Sequence, residues 1–135
     1  MAEDEELEKI KKKKLNELMN RKSDPSPAVI DVPVEVTDQN FAEVTEGHPL
    51  VVIDCWALGC APCRMLAPII EGLAKDYAGK IVFGKLDVAE NQQIQMKYQI
   101  MGVPTLLVFK NGQLVDQIVG AMPRKMLEPR ITQHL

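Results

Sequence analysis

Two cysteines separated by two residues, Cys60-Ala61-Pro62-Cys63, are the part of this 135-residue sequence best suited to chemistry. That spacing lets both sulfurs meet within one turn, so a mixed disulfide formed on one can be resolved by the other. The attacking species in such exchange is the thiolate. A thiolate is stabilised at a helix N-terminus by unbonded backbone N–H groups and the helix dipole. Pro62 suits a first helical turn, where its missing N–H costs nothing. The alternatives are half a metal site or a pair of inert thiols. Three cysteines are too few for a closed four-cysteine zinc site or a disulfide scaffold, and His48 and His134 stand at no ligand spacing. No metal is therefore expected.

The elements that must position this pair follow from periodicity. Leu50-Val51-Val52-Ile53 is a continuous apolar run, the mark of a strand buried on both faces. From Cys60 the spacing becomes helical, with Met65, Leu66, Ile69, Ile70, Leu73, Ala74 and Tyr77 as a core-facing stripe. Pro68 lies inside that helix and is expected to kink it. Upstream, Val32 to Val36 reads as a short edge strand interrupted by Pro33. Thr37-Asp38 reads as the cap of a short helix bearing Phe41 and Val44. Downstream come a strand from Ile81 to about Leu86 and a short helix over 91–98. Two strands, Thr105 to Phe109 and Leu114 to Ile118, flank an Asn111-Gly112 hairpin turn. A last helix starts near Pro123, with Pro129 expected to break or kink it. The order β-α-β-α-β-α-β-β-α implies an α/β fold whose mixed central sheet is flanked by helices on both faces.

Composition sets the outer limits. The length suits one domain, and a hydrophobic fraction of 46 % is enough for a core. A net charge of -3 gives no reason to expect nucleic acid as a partner. No apolar run approaches the roughly 18 residues of a membrane span. The first 24 residues hold seven acids and seven bases. A Pro/Ser linker, Ser23-Asp24-Pro25-Ser26-Pro27, follows. Residues 1–29 are therefore read as a mobile or loosely helical charged extension and 30–135 as the domain. The opening MAEDEELEKI has neither the basic end nor the apolar stretch of a secretory signal. The expected location is the cytoplasm, where a cysteine pair is more often catalytic than structural.

At this point the sequence resembles the thioredoxin family. Val52-Ile53-Asp54-Cys55-Trp56-Ala57 followed by Cys60-Ala61-Pro62-Cys63-Arg64 is similar to the family's active-site segment. Met101-Gly102-Val103-Pro104-Thr105 with Phe109-Lys110-Asn111-Gly112 matches its cis-proline loop and hairpin, and Val119-Gly120-Ala121 its turn before the last helix. The likeness runs in register over about residues 33–135. It implies the thioredoxin fold and a protein-disulfide reductase with no bound cofactor beyond the Cys60–Cys63 disulfide. It also implies protein disulfides as substrates and a thioredoxin reductase as the recharging partner. A lowered thiol pKa and a reducing potential go with the family, for which thioredoxin is a standing example. Nothing in the sequence demands a dimer, so a monomer is expected.

By the same resemblance Cys60 is the nucleophile and Cys63 the resolving thiol. Asp54, in the buried strand, is a carboxyl of raised pKa suited to relay a proton to or from Cys63. Its plain alternative is a satisfied buried carboxyl. Lys85 matches the lysine near that carboxyl, although a lysine at a strand end is commonly just solvated. Trp56 packs beside the turn. Pro104 takes the cis form and sets Val103 opposite the sulfurs, where its backbone can pair with an extended substrate. Gly102 and Gly120 keep the docking surface open. Two residues depart from the family. Gly59 stands where a tryptophan usually precedes the first cysteine, and Ala61 replaces the glycine between the cysteines. Cys55 reads as a small core residue. Competing readings are an isomerase or oxidant of the same fold, or a docking scaffold that uses the charged extension and needs neither cysteine. A chain starting near Ile30 is expected to fold and to reduce a disulfide-bonded protein at the full-length rate. Loss of circular dichroism signal or of activity would put the extension inside the working domain.

Overall fold

The structure, a computed structural model, describes residues 29–135. The expected mobile or loosely helical extension therefore falls, but for Val29, outside the described residues. Among these, the elements run β1 (Val34–Glu35), α1 (Phe41–Glu46), β2 (Leu50–Trp56), α2 (Ala61–Asp76), β3 (Val82–Asp87), α3 (Gln92–Lys97), β4 (Thr105–Lys110), β5 (Gln113–Val119) and α4 (Arg124–Thr132). The strands form one sheet in the order β1-β3-β2-β4-β5. Strands β1, β3 and β2 are parallel neighbours, while β4 runs antiparallel to β2 and β5 antiparallel to β4. This is the mixed sheet that the element order implied.

Every residue of β2 from Leu50 to Cys55 is buried. It shows no polar alternation because both faces are covered. Successive side chains go to opposite faces. Leu50 and Val52 join Leu66, Ile70 and Leu73 of α2 and Leu127 and Ile131 of α4 in one core. Val51, Ile53 and Cys55 join Phe41 of α1, Ile94 of α3 and Phe109 of β4 in the other. Helices thus cover both faces. The pleat also assigns sides to the chemistry. Asp54 and Trp56 share the α2 face with Val52, and Cys55 points the other way. The β4–β5 turn has positive φ at Asn111 (52°) and Gly112 (81°), the left-handed pair that a two-residue hairpin of this twist requires.

Four expectations need correcting. Met65 is 73 % exposed, so it lies off the stripe of α2, whose expected members Leu66, Ile70, Leu73 and Ala74 are buried. Of the break or kink expected at Pro129, the break does not occur, since the last helix runs on to Thr132. The lost bond would have used the carbonyl of Lys125, in the helix's first turn, and burial of Leu127 and Ile131 holds the helix on the sheet. Strand β1 has two residues rather than the five from Val32 to Val36. Finally, Asp38 does not cap α1. Its carboxylate accepts the backbone N–H groups of Ile94 (3.1 Å) and Gln93 (3.4 Å), so it caps α3 across the fold.

Gly84 in β3 is closely packed on its α-carbon. A Cβ there would lie 2.5 Å from Val36 Cγ2 and 2.9 Å from Ile53 Cδ1. Gly84→Ala is expected to lower stability by about 1–3 kcal/mol through overpacking. Urea denaturation reads this directly, and an unchanged midpoint would mean that the β1–β3 side of the core has room to relax.

Candidate active site

The site forms where β2 stops. The chain leaves Trp56, turns through Ala57, Leu58 and Gly59, and enters α2 at Cys60. Gly59 takes φ 77°, a conformation that favours glycine, so it closes the turn without strain. Cys60 is the N-cap of α2, in extended backbone, and its Sγ accepts the N–H of Cys63 at 3.2 Å. A sulfur thus occupies the capping position that an oxygen usually fills. Cys60 and Cys63 are joined as a disulfide, with Cα atoms 5.3 Å apart. Cys60 is half-buried and Cys63 buried, so the outer sulfur is the one open to attack. Ala61 and Pro62 are exposed on the first turn between them.

Two further loops converge on the sulfurs. The Val103–Pro104 peptide is cis, as expected, and the Val103 carbonyl oxygen lies 3.7 Å from Cys60 Sγ. Thr105 anchors this loop by donating its hydroxyl to the Gly102 carbonyl at 2.6 Å. Gly120 N–H donates to the Pro104 carbonyl at 2.8 Å and ties the β5–α4 turn to the same loop. A Cβ at Gly102 or Gly120 would meet nothing within 4 Å, so the surface here stays low. Sequence reasoning missed Thr105. Its three-residue reach back to Gly102 is an ordinary hydroxyl–backbone contact whose use depends on the loop's fold. It also gave no role to Arg64, although that cation directly follows the second cysteine.

Below the disulfide lies Asp54, 2 % exposed, with Oδ1 lacking a hydrogen-bond partner. Burial pushes its carboxyl up from an ordinary 3.8 to about 6, while the Lys85 ammonium pulls the other way. Asp54 and Lys85 are register partners across β2 and β3. The Lys85 Nζ stands 5.9 Å from the centre of the Trp56 ring, a cation–π distance. Asp54, Trp56, Gly59, Cys60, Cys63 and Lys85 all line one cleft of about 380 Å³. Cys55 is excluded from it by the pleat. Burial, with the Asp54 charge, pushes the Cys55 thiol up to about 12 and keeps it inert. Among the described residues no group of His, Cys, Asp and Glu could hold a metal ion, and no helix is long and apolar enough to cross a membrane.

This assembly, a strand end, a C-x-x-C helix cap and a cis-proline loop, has close counterparts. The Thioredoxin family model matches residues 32–133. Thioredoxin from Staphylococcus aureus is 48 % identical over 103 residues, covering 76 % of this chain and 97 % of that protein. Thioredoxin from Chlorobaculum thiosulfatiphilum is 46 % identical over 102 residues, covering 75 % and 94 %. The chain belongs to the thioredoxin family. A mutant thioredoxin from Halobacterium salinarum NRC-1 superimposes with a TM-score of 0.73 at 34 % identity, over 77 % of this chain and 91 % of that one. Membership makes this chain a thiol–disulfide oxidoreductase that reduces protein disulfides by dithiol–disulfide exchange through Cys60 and Cys63.

The raised pKa of Asp54 links the site to stability. Its folded value lies above its unfolded one. The protonated carboxyl therefore favours folding fully below about pH 3.8, and that advantage is lost as pH rises through about 6. A gap of about two units corresponds to about 3 kcal/mol. Asp54→Asn in the oxidised protein is expected to exceed the parent by about 2–3 kcal/mol at pH 8, with the difference closing by pH 4. Denaturation midpoints at the two pH values check this, and a gap independent of pH would contradict the desolvation account.

Proposed function

We propose that this member of the thioredoxin family is a cytoplasmic reductant for protein disulfides, part of the cell's electron transport and redox homeostasis, in which Cys60 attacks and Cys63 resolves. The contact that carries the reading is Cys60 Sγ, capped by the Cys63 N–H and 3.7 Å from the Val103 carbonyl. Backbone N–H groups of the first α2 turn stabilise the Cys60 thiolate. That thiolate attacks one sulfur of the client disulfide, whose S–S bond breaks and releases one client thiol. The client segment pairs with the Val103 backbone as an added strand, across the low surface at Gly102, Pro104 and Gly120. Gly59, Ala61 and Pro62 form the rim beside it. Cys63 then gives its proton to Asp54 and attacks Cys60 Sγ. The second client thiol leaves and the Cys60–Cys63 disulfide remains, so two electrons have passed from the dithiol to the client.

Asp54 serves as the relay because its carboxyl, unpartnered at Oδ1 and held near pH 6, can both take and return a proton close to neutrality. Lys85 limits how far that pKa rises, and Trp56 holds the lysine over its ring. A thioredoxin reductase returns the two electrons, and no bound cofactor takes part. The protein acts as a monomer through its domain at 30–135.

The test is the equilibrium reduction potential of the pair, titrated against a thiol/disulfide buffer. The readout is fluorescence of Trp56, the one tryptophan in the chain, with Cys60→Ser as blank. A potential more negative than the glutathione poise, roughly −220 to −260 mV by extraction, is expected. A value well above it would identify an oxidant or isomerase instead. In parallel, Cys63→Ser is expected to accumulate the mixed disulfide with a client, which Cys60→Ser does not form.

A further inference from the structure

In the oxidised protein no thiolate is left to meet an oxidant. Cys60 and Cys63 are bonded to each other, and the free thiol of Cys55 is buried. The sulfur still open to solvent among the described residues belongs to methionine. Met101 is 97 % exposed and Met65 73 %, Met96 and Met126 are exposed as well, and Met122 is half-buried. Position separates these side chains. Met101 directly precedes Gly102 and Val103, in the loop whose Val103 carbonyl stands 3.7 Å from Cys60 Sγ. Met65 follows Cys63 by two residues and lines a groove of about 320 Å³ with Ala121, Met122 and Pro123, the residues just past Gly120. Gly120 is in turn tied to the cis-proline loop through the Pro104 carbonyl. Met96 belongs to α3 and Met126 to α4, and neither lines that groove. A thioether is soft and polarizable, and gaining an oxygen turns a flexible apolar side chain into a polar one.

We propose that Met101 and Met65 are sites of methionine sulfoxide formation by hydrogen peroxide, and that this modification weakens capture of protein disulfides without altering the exchange chemistry. The inference rests on the reading of Gly102, Val103 and Gly120 as the client surface. The thioether sulfur attacks one oxygen of the peroxide and the O–O bond breaks. The other oxygen leaves as hydroxide, takes the proton from the transferred oxygen and departs as water. The methionine is oxidised by two electrons and the peroxide is reduced by two. The sulfoxide oxygen is strongly hydrated, so covering it with an apolar client segment costs a desolvation that no partner repays. Both side chains lie outside the core, so the fold keeps its packing. A small disulfide reaches Cys60 Sγ without covering either methionine. The mark is reversible, because methionine sulfoxide reductases remove the oxygen. It is set when peroxide persists after the dithiol has been spent.

The oxidised full chain would be treated with hydrogen peroxide, quenched with catalase and mapped by peptide mass spectrometry. Met101 and Met65 are expected to gain one oxygen each before the half-buried Met122 does. The protein is then reduced with dithiothreitol, which leaves the sulfoxides in place, and desalted. Stopped-flow mixing with insulin or with hydroxyethyl disulfide is followed by Trp56 fluorescence. The second-order rate with insulin is expected to fall about fourfold, the cost of losing roughly one methylene's burial, while the rate with hydroxyethyl disulfide holds. Methionine sulfoxide reductases should restore the insulin rate. Each variant is compared with itself before treatment. Met65→Leu/Met101→Leu should keep its insulin rate through peroxide, whereas Met96→Leu/Met126→Leu should lose it as the parent does. An unchanged insulin rate in protein carrying both sulfoxides, no oxygen gained at either residue, or a loss that persists in Met65→Leu/Met101→Leu would overturn the proposal and leave the reductase reading intact. An equal loss with both disulfides would also overturn it, by placing the damage at Cys60 or Cys63. An untreated parent that reduces neither insulin nor hydroxyethyl disulfide would overturn the reductase reading itself.

Discussion

Strand β2 is hydrogen-bonded along both edges and covered on both faces, and the site depends on that. Its neighbours run in opposite senses, β3 parallel and β4 antiparallel. The parallel side brings Lys85 level with Asp54, and the antiparallel side brings Thr105 level with Cys55. The end of β2 is thereby fixed between the lysine that modulates its carboxyl and the strand that follows the cis-proline loop. A strand so constrained has no freedom to slip, because a shift of one residue would exchange the two cores and turn Asp54 to the wrong face.

The same constraint explains why two neighbouring residues behave so differently. Asp54 and Cys55 are both buried, and burial raises the pKa of each. Asp54 faces α2 and shares a cleft with Cys63, so its shifted proton is close to the chemistry. Cys55 faces Phe41, Ile94 and Phe109 in the opposite core, where a thiol packs as a small apolar group. Desolvation acts on both, and the face of the strand decides which of them reaches the cleft.

Around the sulfurs, the loops are held by backbone and hydroxyl contacts rather than by large side chains. Thr105 fastens the cis-proline loop to Gly102, and Gly120 fastens the next turn to Pro104. Open space is left at Gly59, Gly102 and Gly120, and Met101 stands exposed beside Gly102.

Much of this was legible in the residues themselves. The unbroken run Leu50 to Ile53 could be satisfied only by a strand covered twice, and Asn111-Gly112 between apolar runs only by a tight hairpin. Cys60 and Cys63 at a strand-to-helix junction carry their chemistry in their spacing. The sequence by itself determined these because each depends on local periodicity or on the conformational range of one or two residues. What tertiary structure alone decided depends on contacts across the fold. The reassignment of Asp38 from α1 to α3 needs a residue more than fifty positions away. The exposure of Met65 depends on where α2 rotates against the sheet. The survival of α4 through Pro129 depends on Leu127 and Ile131 finding a core. The missing hydrogen-bond partner of Asp54 Oδ1 and its place level with Lys85 likewise exist only once β2, β3 and α2 have packed, since neither is a property of any single segment.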